Sequence, residues 1–65
     1  MKFKEVLLNF RAKHNLSQNQ LSQIIGVSVE MIYRYETEKS KPWQKNKIMI
    51  ENKMKDWEEN KNVKM

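Results

Sequence analysis

The side chains of this sequence that could do chemistry are cations rather than catalytic groups. The 65 residues include 13 Lys and Arg against 8 Asp and Glu, which gives a net charge of +5. There is no Cys, and the single His14 has no nearby partner that would make it a catalytic base or complete a metal site. We therefore expect no enzyme, no metal and no cofactor, and the charge favours a protein that meets a polyanion.

The positive charge lies in the first three quarters of the chain. Residues 1–49 hold nine Lys and Arg and four Asp and Glu, whereas residues 50–65 hold four of each. The longest apolar run, at residues 6–8, is too short for a signal peptide or a membrane span, so we expect a cytoplasmic protein. A basic composition that serves solubility alone is the alternative interpretation of the charge.

The elements that must position these charges are helices. One Gly and one Pro are too few for the turns of a small sheet-rich fold, so we predict an all-α domain of four helices, with five as the alternative. Apolar spacing, caps and the breaks at Gly26 and Pro42 place the helices at about residues 2–14, 18–25, 28–36 and 43–59. Residues 60–65 are expected to form a frayed polar tail.

The last helix carries two groups of apolar side chains. One stripe, predicted to cover the core, consists of Trp43, Ile50, Met54 and Trp57. Ile48 and Met49 point away from that stripe, and with Leu8 they are candidates for a self-complementary dimer surface. The alternative is that they are scattered surface residues of a monomer that pairs only when a bound partner holds two copies together.

The apolar spacing between residues 18 and 35 is typical of a helix-turn-helix. Counted from Gln18, apolar side chains stand at the fourth, eighth, tenth, fifteenth and eighteenth places, with Ser at the fifth and the lone Gly at the ninth. The wider motif consists of Leu16-Ser17-Gln18, Leu21, Gly26-Val27-Ser28, Ile32, Tyr35-Glu36, Lys39 and Lys41-Pro42. Over about residues 5–43 the chain resembles the Cro/C1-type (XRE-like) family of bacterial and phage DNA-binding regulators. The resemblance implies a lambda-repressor-like domain over residues 1–59, with its helix-turn-helix at about 17–36.

The resemblance also implies which side chains meet base edges. Val29, Glu30 and Arg34 match the family's base-reading positions, with Ser28 and Tyr33 beside them. By donor and acceptor chemistry, Arg34 suits guanine O6 and N7, Glu30 suits a cytosine amino group, and Val29 suits a thymine methyl. The alternative is that Glu30 and Arg34 form only an i, i+4 ion pair on a solvated face.

Phosphate contacts are expected on both sides of the predicted recognition helix, the third helix. Gln18 and Asn19 begin the second helix, where free amides and the helix dipole favour an anion. Lys39, Ser40 and Lys41 follow the third helix, and Lys45 and Lys47 extend the same basic cluster. Taken singly, each of these lysines fits an ordinary solvated charge better than a phosphate contact, and it is their clustering between residues 39 and 47 that favours the phosphate contacts.

Two further features follow from the comparison with the family. The family keeps a Glu at the end of the third helix that pairs with an Arg of the first, which implies a partly buried Arg11–Glu36 salt bridge. The family usually continues with Gly or Asn-Gly, whereas Thr37 and Glu38 stand here. We therefore predict a differently built exit from the third helix and an added negative charge near the DNA.

The function that the resemblance implies is sequence-specific binding of double-stranded DNA by a transcriptional regulator. We expect a repressor that occupies a palindromic operator, as a homodimer at least on DNA, and no small-molecule effector is evident. An antitoxin or anti-repressor that binds a protein through the same fold is the alternative. A membrane-surface role is disfavoured because the acidic residues of the last helix would be repelled by anionic lipid.

Overall fold

The computed structural model describes residues 2–63 and contains four α-helices. They are α1 (Phe3–His14), α2 (Gln18–Ile25), α3 (Val29–Glu36) and α4 (Gln44–Val63). No strand occurs between residues 2 and 63, which confirms the predicted all-α class with four helices. None of the four helices combines the length and the apolar character that crossing a membrane requires.

The connections between the first three helices are tight because specific residues end and begin each helix. Asn15 ends α1 in the left-handed conformation (φ 56°), and Gly26 ends α2 in the same way (φ 69°). The capping box predicted at the start of α2 is present: Ser17 Oγ accepts the N–H of Gln20, and Gln20 Oε1 accepts the N–H of Ser17. These ends fix the α2–turn–α3 unit within 19 residues, from Gln18 to Glu36.

The core takes two buried side chains from each helix. They are Leu7 and Phe10, Leu21 and Ile25, Ile32 and Tyr35, and Ile50 and Met54. Aromatic rings close its two sides, since Phe3 meets Tyr35 edge-on at 5.7 Å and Trp57 meets Phe10 at the same distance. All four helices are therefore needed to exclude water from one small core.

The prediction that Trp43 covers the core is wrong. Its side chain is 81% exposed, whereas Ile50, seven residues later on the same stripe, is fully buried. Lys47 lies between them and is already half-buried, so the stripe leaves the core before it reaches Trp43. Helical spacing shows which residues share a face, but it does not show how far the neighbouring helices extend beneath that face.

The last helix also extends further than the predicted end near residue 59, because α4 continues to Val63. Its last turns contain no Gly or Pro to stop it, and the Lys61 ammonium lies 5.0 Å from the centre of the Trp57 ring. Of the predicted frayed tail, residues 60–63 are helical and residues 64–65 lie outside the described part of the chain.

Candidate nucleic-acid interface

α3 separates a buried face from an exposed face. Ile32, Tyr35 and Glu36 are buried against the other helices. The exposed side chains, which we call the outer face of α3, are Val29, Glu30, Tyr33 and Arg34. Because positions i, i+1, i+4 and i+5 lie on one side of a helix, these four side chains form a single surface.

The amino end of α3 is held by Ser28, one of the two residues predicted to flank the base contacts. Its Oγ accepts the backbone N–H of Met31 at 3.3 Å, so the hydroxyl oxygen caps the helix and its own O–H remains exposed. The cap directs the first turn of α3, with Val29 and Glu30, towards solvent.

Glu30 and Arg34 form an ion pair on the outer face of α3. Arg34 Nη2 lies 3.0 Å from Glu30 Oε2, one helical turn away, and both side chains are exposed. Such a pair stabilises a helix by only about 0.2–0.5 kcal/mol, whereas a bidentate contact to a base discriminates by about 1–3 kcal/mol. The solvated pair is therefore present in the free protein, and separating it on a duplex would cost little.

A second Arg–Glu pair lies on the inner side of α3. Arg11 Nη1 lies 2.7 Å from Oε1 and 2.9 Å from Oε2 of Glu36, whose side chain is only 5% exposed. Arg11 Nε also donates to the carbonyl of Leu16 at 3.1 Å. The structure thus brings the predicted pair together and ties α1, the α1–α2 connection and α3 at one point.

Gln18, which is predicted to contact phosphate, also bonds to a residue of α3. Its Nε2 donates to Glu36 Oε1 at 2.9 Å, and the side chain is half-buried. The acceptor is 18 residues away in the sequence, so no local spacing could have indicated this bond. One amide hydrogen of Gln18 is used to satisfy the buried carboxylate, which leaves the second hydrogen and the backbone N–H for an anion.

The other predicted phosphate contacts lie on the surface. Asn19, Lys39 and Lys41 are exposed, and the Lys39 ammonium lies 5.6 Å from the centre of the Tyr33 ring. Ser40 is half-buried, and its backbone N–H reaches the Arg34 carbonyl at 3.3 Å. The connection after α3 is thereby attached to the last turn of that helix, and Lys39 lies beside Tyr33 of the outer face of α3.

The exit from α3 is built on a residue type that rarely adopts its conformation. Glu38 has φ 62°, the left-handed region that the family's Gly or Asn would occupy without strain. Its carboxylate lies 3.7 Å from Lys2 Nζ and 3.8 Å from Lys4 Nζ. The added negative charge predicted from the sequence is thus partly balanced by two lysines of the amino-terminal segment.

A contact that the sequence did not reveal joins the far ends of α1 and α4. His14 Nε2 donates to Glu58 Oε2 at 2.6 Å, and Lys13 Nζ lies 3.3 Å from the same oxygen. The hydrogen bond from His14 lowers the pKa of Glu58 below its ordinary value, with Lys13 adding to the effect against a partial burial that raises it. The apolar stripe of α1 indicated a packing role for His14, but its partner lies 44 residues away.

The apolar residues predicted for a dimer surface are all exposed. Ile48 and Met49 are adjacent side chains on α4, and Leu8 on α1 borders a shallow groove with Ala12 and Leu16. These three side chains are therefore available to a self-complementary contact, which stays a prediction.

Within residues 2–63 there is no group of three or more His, Asp or Glu side chains that could hold a metal ion. The exposed side chains of α3 offer hydrogen-bond donors, hydrogen-bond acceptors and methyl groups to a partner, and cations flank them.

The comparisons with known proteins agree with this geometry. A family model described as helix-turn-helix matches residues 7–46, which include all of α2 and α3 and the connection that follows. No curated protein and no solved structure matches the chain significantly.

Proposed function

The chain belongs to the Cro/C1-type (XRE-like) helix-turn-helix family of DNA-binding regulators, and from that membership we propose that it is a repressor that occupies an operator. The observation that carries the proposal is the two-sided character of α3. Ile32, Tyr35 and Glu36 hold its inner side rigidly, while the outer face of α3 presents polar and methyl-bearing side chains to solvent. Because occupying a promoter site needs only tight duplex binding, this surface is sufficient for repression in the cytoplasm.

Each side chain of the outer face has a proposed partner. Arg34 donates to guanine O6 and N7 once it leaves Glu30, Glu30 accepts from a cytosine amino group, and Val29 packs on a thymine methyl. Ser28 and Tyr33 border these contacts. The short hydroxyl, carboxylate and isopropyl groups at the amino end of α3 allow its first turn to approach the floor of the major groove.

Phosphate contacts would set the position of α3 in the groove. The backbone N–H groups at the start of α2 have no acceptor within the helix, and Gln18 and Asn19 stand beside them. Lys39, Ser40 and Lys41 follow the last turn of α3, and Lys39 lies beside Tyr33 of the outer face. These groups bind any sequence, so they contribute affinity and register rather than discrimination.

We further propose that two copies bind a palindromic operator. One recognition helix contacts only a few base pairs. Proteins of this kind therefore engage two half-sites about 34 Å apart, which is one turn of the duplex. Ile48 and Met49, which are 48% and 40% exposed, are the apolar residues of α4 that a two-fold contact would cover.

Selection of bound duplexes from a random DNA pool tests the proposed function. The expected result is a defined inverted repeat, and recovery of no preferred sequence would contradict it. Analytical ultracentrifugation with the selected duplex then tests the symmetry: two chains per duplex are expected, and Met49→Lys should weaken pairing while Lys55→Ala, an exposed α4 control, should not. One chain per duplex at saturation would contradict the dimer.

A further inference from the structure

Trp43 is the most exposed large apolar side chain among residues 2–61. It is 81% accessible, and the next such residue, Ile48, is 48% accessible. Within that part of the chain no aromatic ring and no cation packs on its indole, in contrast to Trp57. An indole left in water loses the packing that its area could gain, so the chain carries a large unburied aromatic group at one defined place.

The backbone beneath Trp43 is fixed. Pro42 precedes it with a restricted φ, and the carbonyl of Trp43 accepts the N–H of Lys47 at 2.8 Å, which begins the hydrogen bonding of α4. The indole is therefore presented from the start of a helix rather than from a freely moving loop. A partner that contacts it loses little backbone entropy on binding.

The charged residues next to Trp43 in the sequence are all lysines. Residues 39–50 contain four Lys and no Asp or Glu. Lys41 and Lys45 are exposed, Lys47 is half-buried, and none of these three forms an ion pair with another described residue. Unpaired cations that precede and follow an exposed aromatic ring in the sequence favour a polyanion that also has apolar surface. The sugar–phosphate backbone of a nucleic acid has both properties.

The position of Trp43 relative to α3 selects the partner. The N–H of Lys39 bonds to the carbonyl of Arg34 at 2.9 Å, so the connection that leads to Trp43 starts from the last turn of α3. Trp43 lies two residues after the last of the proposed phosphate contacts Lys39, Ser40 and Lys41, with Pro42 between them. A duplex bound by these three residues would therefore run close to Trp43.

We propose that Trp43 contacts the sugar–phosphate backbone of the bound duplex, with its ring against a deoxyribose and its Nε1–H donated to a phosphate oxygen. This inference rests on the proposed DNA-binding function and adds a sequence-independent contact to it. An indole suits the place because its ring is apolar and its only polar group is a donor. A second copy of the chain fits less well, since it would bring further lysines against Lys41 and Lys45.

The two Trp residues make a direct test possible. In Trp57→Phe, Trp43 is the only Trp, and the new Phe retains a ring in the half-buried site beside Phe10. The probes are a duplex of about 30 bp recovered by selection and an unrelated duplex of equal length, both at low salt. We expect acrylamide to quench Trp43 strongly in the free protein and several-fold less when either duplex is bound.

Affinity measurements complete the test. Trp43→Ala should weaken binding to both duplexes by roughly tenfold and leave the base preference unchanged, because a backbone contact carries no sequence information. The neighbouring exposed residue supplies the control, and Gln44→Ala should change affinity by less than about twofold.

The possible failures are distinguishable. If a duplex binds and Trp43 is quenched as in the free protein, the contact is refuted while the DNA-binding function stands. If Trp43 becomes protected at high protein concentration without DNA, its partner is a second copy and the proposal is wrong. If neither duplex binds, the proposed function fails and this inference fails with it.

Discussion

The two Arg–Glu pairs of α3 have the same chemistry and opposite surroundings. Arg11 and Glu36 meet through two short contacts on the inner side, where the Glu36 side chain is 5% exposed. Arg34 and Glu30 meet on the outer face, where the Glu30 side chain is 72% exposed. Burial makes the first pair a fixed part of the fold, and solvent leaves the second pair free to exchange its partner for a base.

The largest expected effect is on the inner pair. Glu36→Gln leaves the Arg11 guanidinium without its charged partner in a partly buried site, so we expect a loss of about 3 kcal/mol in the free energy of unfolding. In a domain of this size that loss lowers Tm by more than about 10 °C. Glu30→Gln is the matched control, and its loss should stay below about 0.5 kcal/mol. Equal melting curves for Glu36→Gln and the wild type would show that the buried pair stabilises the fold no more than the exposed pair does.

The outer pair should matter for recognition instead. Arg34→Ala should cost roughly 1–3 kcal/mol against the best duplex and relax the preference at one or two positions of each half-site. Its effect on the melting of the free protein should be small, because the Glu30–Arg34 pair is solvated.

A phosphate contact provides the control for that experiment. Lys41→Ala should weaken selected and unrelated duplexes about equally and reduce the slope of log K against log salt by close to one unit. Should Arg34→Ala also weaken both duplexes alike, the assignment of the outer face of α3 to base contacts would be wrong.

Glu38 allows the stabilisation from exposed ion pairs to be compared with the cost of backbone strain, because this residue has both. Glu38→Gly removes the contacts with Lys2 and Lys4 but allows the left-handed conformation without a Cβ penalty. If exposed pairs stabilise little, the strain dominates and the variant gains about 1 kcal/mol in chemical denaturation. Glu38→Ala removes the same charge without relieving the strain, so it should show no such gain. A clear loss in Glu38→Gly would mean that these exposed pairs stabilise more than their geometry suggests.

Local features of the fold were predictable from the sequence, and long-range contacts were not. The cap at Ser17 and the turn at Gly26 depend on residues only a few positions apart, so the limits of α2 follow from local chemistry. The Arg11–Glu36 pair was expected only through the family resemblance. The bonds of Gln18 with Glu36 and of His14 with Glu58 join residues 18 and 44 positions apart, and no spacing within one helix reports such contacts.

Trp43 illustrates the same limit on the surface. Its spacing from Ile50 fits one helical face, but Trp43 precedes the first residue of α4 and lies beyond the end of the core. The depth of a position along a helix depends on where the neighbouring helices end, which is a property of the tertiary packing. The residue that periodicity placed inside is therefore the one that the structure leaves available to a partner.

The pair of His14 and Glu58 lies between the two Arg–Glu pairs in burial, so its effect on stability should also lie between theirs. Because the folded state lowers the pKa of Glu58, the carboxylate contributes stability fully above its unfolded pKa of about 4.3, and that contribution is lost as the pH falls through the lower folded value. The side chain of Glu58 is 29% exposed, so the contribution should be below about 1 kcal/mol.

Melting of the wild type and Glu58→Gln from pH 7 to pH 2 checks this prediction. The wild type should be the more stable at pH 7, and the difference in stability should vanish in acid. Glu59→Gln, at the exposed neighbour, should follow the wild type throughout. A difference that grew as the pH fell would show that Glu58 is stabilised in its protonated form and would contradict the direction assigned to its pKa.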